Sequence, residues 1–178
     1  MALKLSDESF QTDYDINLKC SDTFKIGKWL TDGAMAIDTT KVYKDLKNAK
    51  DVSAENEDYF LSQCLNNKVL KKVLNNENRV TFLPCSYKGY RLVNVNNKEL
   101  LIDSFYANEI DTFEVFYFNQ TFYFFEYLEA EPEAEIYEDA YMLIGLVRGI
   151  KQNNDFMFKV SGILYKLNEF LKKLESEA

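Results

Sequence analysis

This chain predicts an α+β domain: an antiparallel sheet of hairpins and a meander, two helices in the N-terminal half, and an amphipathic helix at the C-terminal end. Three observations carry that expectation. Apolar residues recur at every fourth position at Leu61, Leu65, Val69 and Val73, the period of a helix with one buried side. The dipeptides Lys88-Gly89 and Asn96-Asn97 divide residues 80–103 into three β-like runs, a meander joined by turn formers. Aromatic residues fill nine of the fifteen positions from 113 to 127 and are interrupted by Asn119-Gln120, which reads as a hairpin of ring-rich strands.

Taken in chain order, residues 24–38 form half-apolar segments around Asp32-Gly33, a strong hairpin-turn signal because both residues tolerate positive φ. Residues 41–74 predict two helices, the first on Val42, Tyr43, Leu46 and Ala49, the second on the four-residue repeat. Ser53, Asn56, Glu57 and Asp58 supply a helix start with acids at the positive end of the dipole, and Asn75-Asn76 a stop. After the meander, the hairpin at 113–128 is apolar on both alternation faces, with Phe113, Val115 and Tyr117 on one and Phe116 and Phe118 on the other. A sheet wet on one side does not look like this, so both faces need a cover. Residues 141–150 add a buried strand.

The expected cover is the C-terminal stripe of Val160, Ile163, Leu167, Phe170 and Leu174, a helix over 156–176. The same stripe is the candidate surface for a homo-oligomer or a docked partner. With 178 residues and 47% hydrophobic content, the chain has the apolar surface for one domain, an α+β core over 10–150 followed by that helix.

Composition excludes several function classes. The chain contains no histidine, which removes Ser-His and Cys-His nucleophile pairs and the commonest general base near neutral pH. The three cysteines, Cys20, Cys64 and Cys85, are scattered and show no Cys-x-x-Cys spacing, so neither a disulfide framework nor a metal site is expected. Cys85 reads as a small buried hydrophobe. No Gly-rich phosphate loop is present, and no cofactor is expected. A net charge of −8 opposes direct nucleic-acid binding by the monomer, since phosphate contacts draw on Lys and Arg. The lysines at 41, 44, 47 and 50 and at 68, 71 and 72 would make stripes on helices, but acids lie among them, so a solvated mixed-charge surface is expected. No run is long and apolar enough for a membrane span and no leader pattern is seen, so the cytoplasm is the expected compartment. Sixteen asparagines and three arginines among 21 basic residues fit an AT-rich coding source, such as a phage or low-GC bacterium.

The acidic run at 126–139 includes Glu129, Glu131, Glu133, Glu135 and Glu138 around Pro132. It reads first as a solvated loop between strands. Its functional alternative is an acidic interaction surface that imitates phosphates or occupies a basic site on a host protein, as an inhibitor would. Loop carboxylates could also hold a divalent ion, but calcium-loop spacing is absent. Acid-base catalysis by carboxylates and a purely structural role stay open as further alternatives.

Residues 29–37, Trp-Leu-Thr-Asp-Gly-Ala-Met-Ala-Ile, followed by a helix, a meander and the run Tyr-Met-Leu-Ile-Gly-Leu-Val-Arg at 141–148, resemble one module of the bacterial DNA sliding clamp. The resemblance covers about residues 10–150 and rests on the Thr-Asp-Gly turn and the closing strand. It implies helices on one side of a curved antiparallel sheet, and a non-catalytic protein-interaction module of DNA metabolism. The family's peptide pocket would carry over onto Thr31, Gly33, Met35, Val147 and Arg148. Ala34 and Met35 stand where the family has His and Arg, and Leu146 where it has Pro, which puts that pocket in question. A closed ring would need six such modules.

Overall fold

Asparagine-rich turns set the strand order. Asn96 and Asn97 have φ of 49° and 65°, and Asn119 and Gln120 have 50° and 59°, the paired left-handed conformation whose twist matches a two-residue hairpin. The computed structural model describes residues 3–6, 10–20, 22–52, 61–87, 89–134, 136 and 138–149, together with the backbone of Met157–Val160 and Ile163–Lys166. The side chains of Leu61, Cys85, Tyr87 and Ala134 lie outside that description.

The strands are β1 (Phe24–Ile26), β2 (Trp29–Thr31), β3 (Met35–Asp38), β4 (Lys50–Asp51), β5 (Val80–Tyr87), β6 (Tyr90–Val95), β7 (Lys98–Asp103), β8 (Glu114–Phe118), β9 (Thr121–Leu128), β10 (Ala140–Arg148), β11 (Met157–Val160) and β12 (Ile163–Lys166). Helix α1 spans Asn67–Val73 and α2 spans Ser104–Ile110. Seven strands form one sheet in the order β4-β1-β2-β3-β10-β9-β8, and β5-β6-β7 form a second. All pairs in both sheets are antiparallel except β1 with β4. The meander and both hairpins thus stand where the turn dipeptides put them.

The large sheet is apolar on both sides, as its alternation demands. Leu30, Met35, Ile37, Val115, Phe122, Phe124, Met142 and Val147 join one core with Val93, Ile102, Tyr106 and Ile110 from the small sheet and α2. Trp29, Ala36, Phe116, Tyr123, Phe125, Tyr141 and Leu146 join a second core with Leu65, Leu70 and Val73. Successive residues of one strand fall in opposite cores because side chains alternate across a sheet. Between Leu143 and Gly145 the register shifts by one residue, and this bulge lets β10 keep both faces in phase. A Cβ on Gly145 would stand 2.3 Å from the Ala36 carbonyl oxygen and 2.5 Å from the Phe124 ring, so only glycine fits there.

Several expectations are corrected. Residues 41–49 do not form a helix. Lys41 and Val42 donate to the Asp38 carbonyl, Val42 pairs with Thr12, and Asp45 accepts from the Lys47 N–H. These turn bonds and the burial of Val42 replace a helical ladder. The second helix is split: Leu61–Leu65 is a π-type turn, and Asn66 caps α1 by accepting from the Val69 N–H at 2.9 Å. The start expected at Ser53 to Asp58 lies outside the described residues. Helix α2, which was not expected, begins where Asp103 accepts from the Phe105 N–H at 2.9 Å.

At the C-terminal end, Met157–Val160 and Ile163–Lys166 are strands and not helix. Val160 and Ile163 instead pair across β11 and β12; β-branched residues and rings flank a Ser-Gly turn former in the sequence, and local β preference prevails over the three- and four-residue spacing. Leu167, Phe170 and Leu174 lie outside the described residues. Among the described residues, the covers of the large sheet are the small sheet, α2, α1 and the π-type turn. Helices α1 and α2 pack on opposite faces of the sheet, a departure from the one-sided arrangement that the clamp resemblance implies. No helix among the described residues is long and apolar enough to cross a membrane.

Candidate functional site

The turn at residues 31–35 is built on one carboxylate. Asp32 accepts through Oδ1 from the N–H groups of Ala34 (3.0 Å) and Met35 (2.8 Å). Through Oδ2 it accepts from the Tyr106 hydroxyl (2.7 Å), Lys19 N–H (2.9 Å) and Cys20 N–H (3.4 Å). Gly33 takes a φ of 95° and donates to Thr31 Oγ1 at 3.0 Å. Burial alone would push the Asp32 carboxyl up, but the donors from Met35, Tyr106, Ala34 and Cys20 together hold it below its ordinary value. Burial, and then the bond to Asp32, push the Tyr106 hydroxyl well up. Asp32 is therefore a fastening between the turn, α2 and residues 19–20, with its lone pairs committed.

The end of β10 meets this turn. Arg148 N–H donates to the Ala34 carbonyl at 2.7 Å, and Gly149 N–H donates to the Gln120 carbonyl at 2.8 Å. From the other side, the Tyr123 hydroxyl donates to the Cys64 carbonyl at 3.0 Å and ties the π-type turn to the sheet. Between these three pieces of chain lies a cleft of about 220 Å³, lined by Thr31, Gly33, Ala34, Met35, Ala36, Gln63, Cys64, Thr121, Leu146 and Arg148.

Parity sorts the residues expected here. Thr31 and Arg148 alternate in phase with Trp29 and Leu146 and present their side chains on the cleft side, and Gly33 forms the turn beside them. Met35 and Val147 are register partners whose side chains enter the opposite core, 0% and 1% exposed. They support the cleft from behind and cannot touch a ligand by side chain. The residues that sequence reasoning missed are Ala36, Gln63 and Thr121, and Cys64 was noted only as a thiol. Thr121 could have been found from pairing β9 with β10, which sets it opposite Arg148; for Gln63 no local signal exists.

Among the described residues, the cleft lining holds one cation, Arg148, and no carboxylate. Burial pushes the Cys64 thiol up, and the positive charge of Arg148 pulls against that, so the thiol is protonated at neutral pH. A second hollow of about 240 Å³ lies between Pro84, Ser86, Arg91, Ser104 and Asn108, and there Arg91 donates to Asp111 and to the Leu83 carbonyl. Among the described residues no group of three acidic or thiol side chains gathers as a metal site would.

The acidic run joins β9 to β10 at their other ends, seven pairs along from Thr121 and Arg148, roughly 24 Å along the strands. Glu129, Glu131, Glu133 and Glu138 are exposed. Glu131 exchanges both backbone bonds with Ile136 (2.7 and 3.0 Å), and Pro132–Ala134 form a 3₁₀ turn. Glu138 pairs with Lys4, and Asp139 accepts from the Tyr127 hydroxyl and Ala130 N–H. Glu135 lies outside the described residues. The loop is thus a braced strand connection, separate from the cleft. Comparison with protein-family models, with curated proteins and with solved structures gives no match to this chain.

Proposed function

We propose that this chain is a non-catalytic protein-interaction module that receives a segment of a protein partner in the cleft beside the Asp32-Gly33 turn. One observation carries the reading: segments distant in sequence, at 31–36, 63–64, 121 and 146–148, converge on an open hollow with mixed polar and apolar walls, the character of a recognition site. The sliding-clamp resemblance supplies the context of DNA metabolism. It is supported by the order of hairpin, helix, meander, helix, hairpin and closing strand; the placement of α1 and α2 on opposite faces weighs against a full clamp module.

A second reading, an acidic inhibitor that occupies a basic site on a host protein, is favoured by the exposure of Glu129, Glu131 and Glu133. The two separate by mutation. Thr121→Trp fills the cleft and should abolish capture of the native partner, whereas reversing Glu131 and Glu133 to lysine should leave it unchanged. The opposite pattern, measured by affinity capture with a refolding control on each variant, rejects the cleft in favour of the loop.

A further inference from the structure

Two of the chain's three arginines are spent inside the fold. Arg79 holds Glu114 at 2.6 Å and lies over the Phe116 ring at 4.9 Å. Arg91 holds Asp111 at 2.8 Å and lies over Phe82 at 5.2 Å. Arg148 has neither a carboxylate nor a ring among the described residues, although its backbone is fixed on one side by Ala34 and, through Gly149, on the other by Gln120. Among the described residues, no acidic side chain lines the cleft that Arg148 borders. A guanidinium carried on a fixed backbone, with no acid beside it among the described residues, offers its planar fork of donors to a carboxylate from outside.

We propose that the cleft selects a partner segment in which an Asp or Glu side chain adjoins an apolar residue. The carboxylate takes the Arg148 fork, and the apolar neighbour lies over Ala36 and Leu146. A hollow of about 220 Å³ has room for a small number of side chains and not for a folded element, which suits a short linear segment. Because the molecule is acidic overall, such a segment is repelled elsewhere and held here, so charge supplies selectivity more than bulk affinity. This inference rests on the cleft being the partner site.

The test is selection of a displayed library of random linear octapeptides on the full chain, followed by titration of the selected peptides against the wild type and three variants. Expected are peptides enriched in Asp or Glu beside an apolar residue, lost on Thr121→Trp and weakened roughly tenfold or more by Arg148→Gln, the scale of a hydrogen bond to a charged group. Selection on Arg148→Glu should shift enrichment from acidic to basic residues. Binding should also shield the Cys64 thiol from an alkylating reagent. Peptides lost on Thr121→Trp but without acidic enrichment, or indifferent to Arg148→Gln, overturn the carboxylate proposal while leaving the cleft reading intact. Loss only when the peptide's C-terminus is amidated assigns the charge to the chain end and overturns the side-chain form. If no selected peptide is lost on Thr121→Trp, both ideas fall.

Discussion

Both faces of the seven-stranded sheet are apolar, but among the described residues they are closed to different extents. The face carrying Phe122 and Phe124 is covered by the three-stranded sheet, α2 and buried Ile16. The face carrying Tyr123 and Phe125 is covered by the π-type turn and α1, with Leu3 and Leu5 at one end. Seven residues of α1 extend about 10 Å, whereas nine residues of β10 extend about 30 Å. Among the described residues, α1 contributes nothing to the cleft at the Thr121 and Arg148 end of that face, where Gln63 and Cys64 of the π-type turn form the wall. Among the described residues, the extent of the cover distinguishes the core side from the candidate binding side.

Substitutions can break this comparison in order of size. Phe124→Ala, on the closed face and 0% exposed, should cost about 3–5 kcal/mol by urea denaturation, because the surrounding core cannot collapse into the space. A loss under 1 kcal/mol would show that the face is loosely packed. Asp32→Asn should cost about 2 kcal/mol at neutral pH, since an amide nitrogen cannot accept from Tyr106, Lys19 and Cys20. Its pH dependence has a definite sign. The folded carboxyl is held low, so its stabilisation is full above the ordinary value of 3.8 and is lost as pH falls through the lower folded value. The gap between wild type and variant should narrow only in that acid range.

Glu126 has the opposite sign. Burial pushes its carboxyl up, with the Tyr14 bond opposing and the Glu114 charge assisting. Any stabilisation linked to its proton is full below the ordinary value of 4.5 and is lost as pH rises through the raised folded value. Glu126→Gln should therefore melt at or above the wild-type temperature at pH 7 and lose that advantage near pH 4. A variant that melts lower at both pH values would reverse the assignment. The smallest effect on folding belongs to the open end: Arg148→Gln should change stability by no more than about 0.5 kcal/mol while weakening peptide binding. A larger loss on unfolding would make Arg148 a structural residue.

Legibility in the sequence followed the range of the interactions involved. Turns decided by two adjacent residues, at Asp32-Gly33, Asn96-Asn97 and Asn119-Gln120, were readable because the φ preference is local. The two-sided burial of β8 and β9 was readable from alternation. The helix expected on Val42, Leu46 and Ala49 failed because Asp38 and Thr12, outside the window, claimed its backbone bonds. Helix α2 escaped notice because its seven residues are too few for periodicity, although Asp103 as a cap was visible. Of the residues expected at the candidate site, Thr31, Gly33 and Arg148 line the cleft, while Met35 and Val147 turn their side chains into the opposite core.

By itself, the amino-acid order determined the strand-and-turn skeleton, the absence of imidazole chemistry, and the requirement that the central sheet be buried on both sides, all set by neighbouring residues or by composition. Tertiary packing alone decided which elements supply the covers, how far each reaches, and therefore that Thr121, Gln63 and Arg148 share a hollow. The reason is physical: alternation specifies that a face must be hidden, but the segment that hides it is chosen by length and fit across the whole chain, and no local pattern encodes that choice.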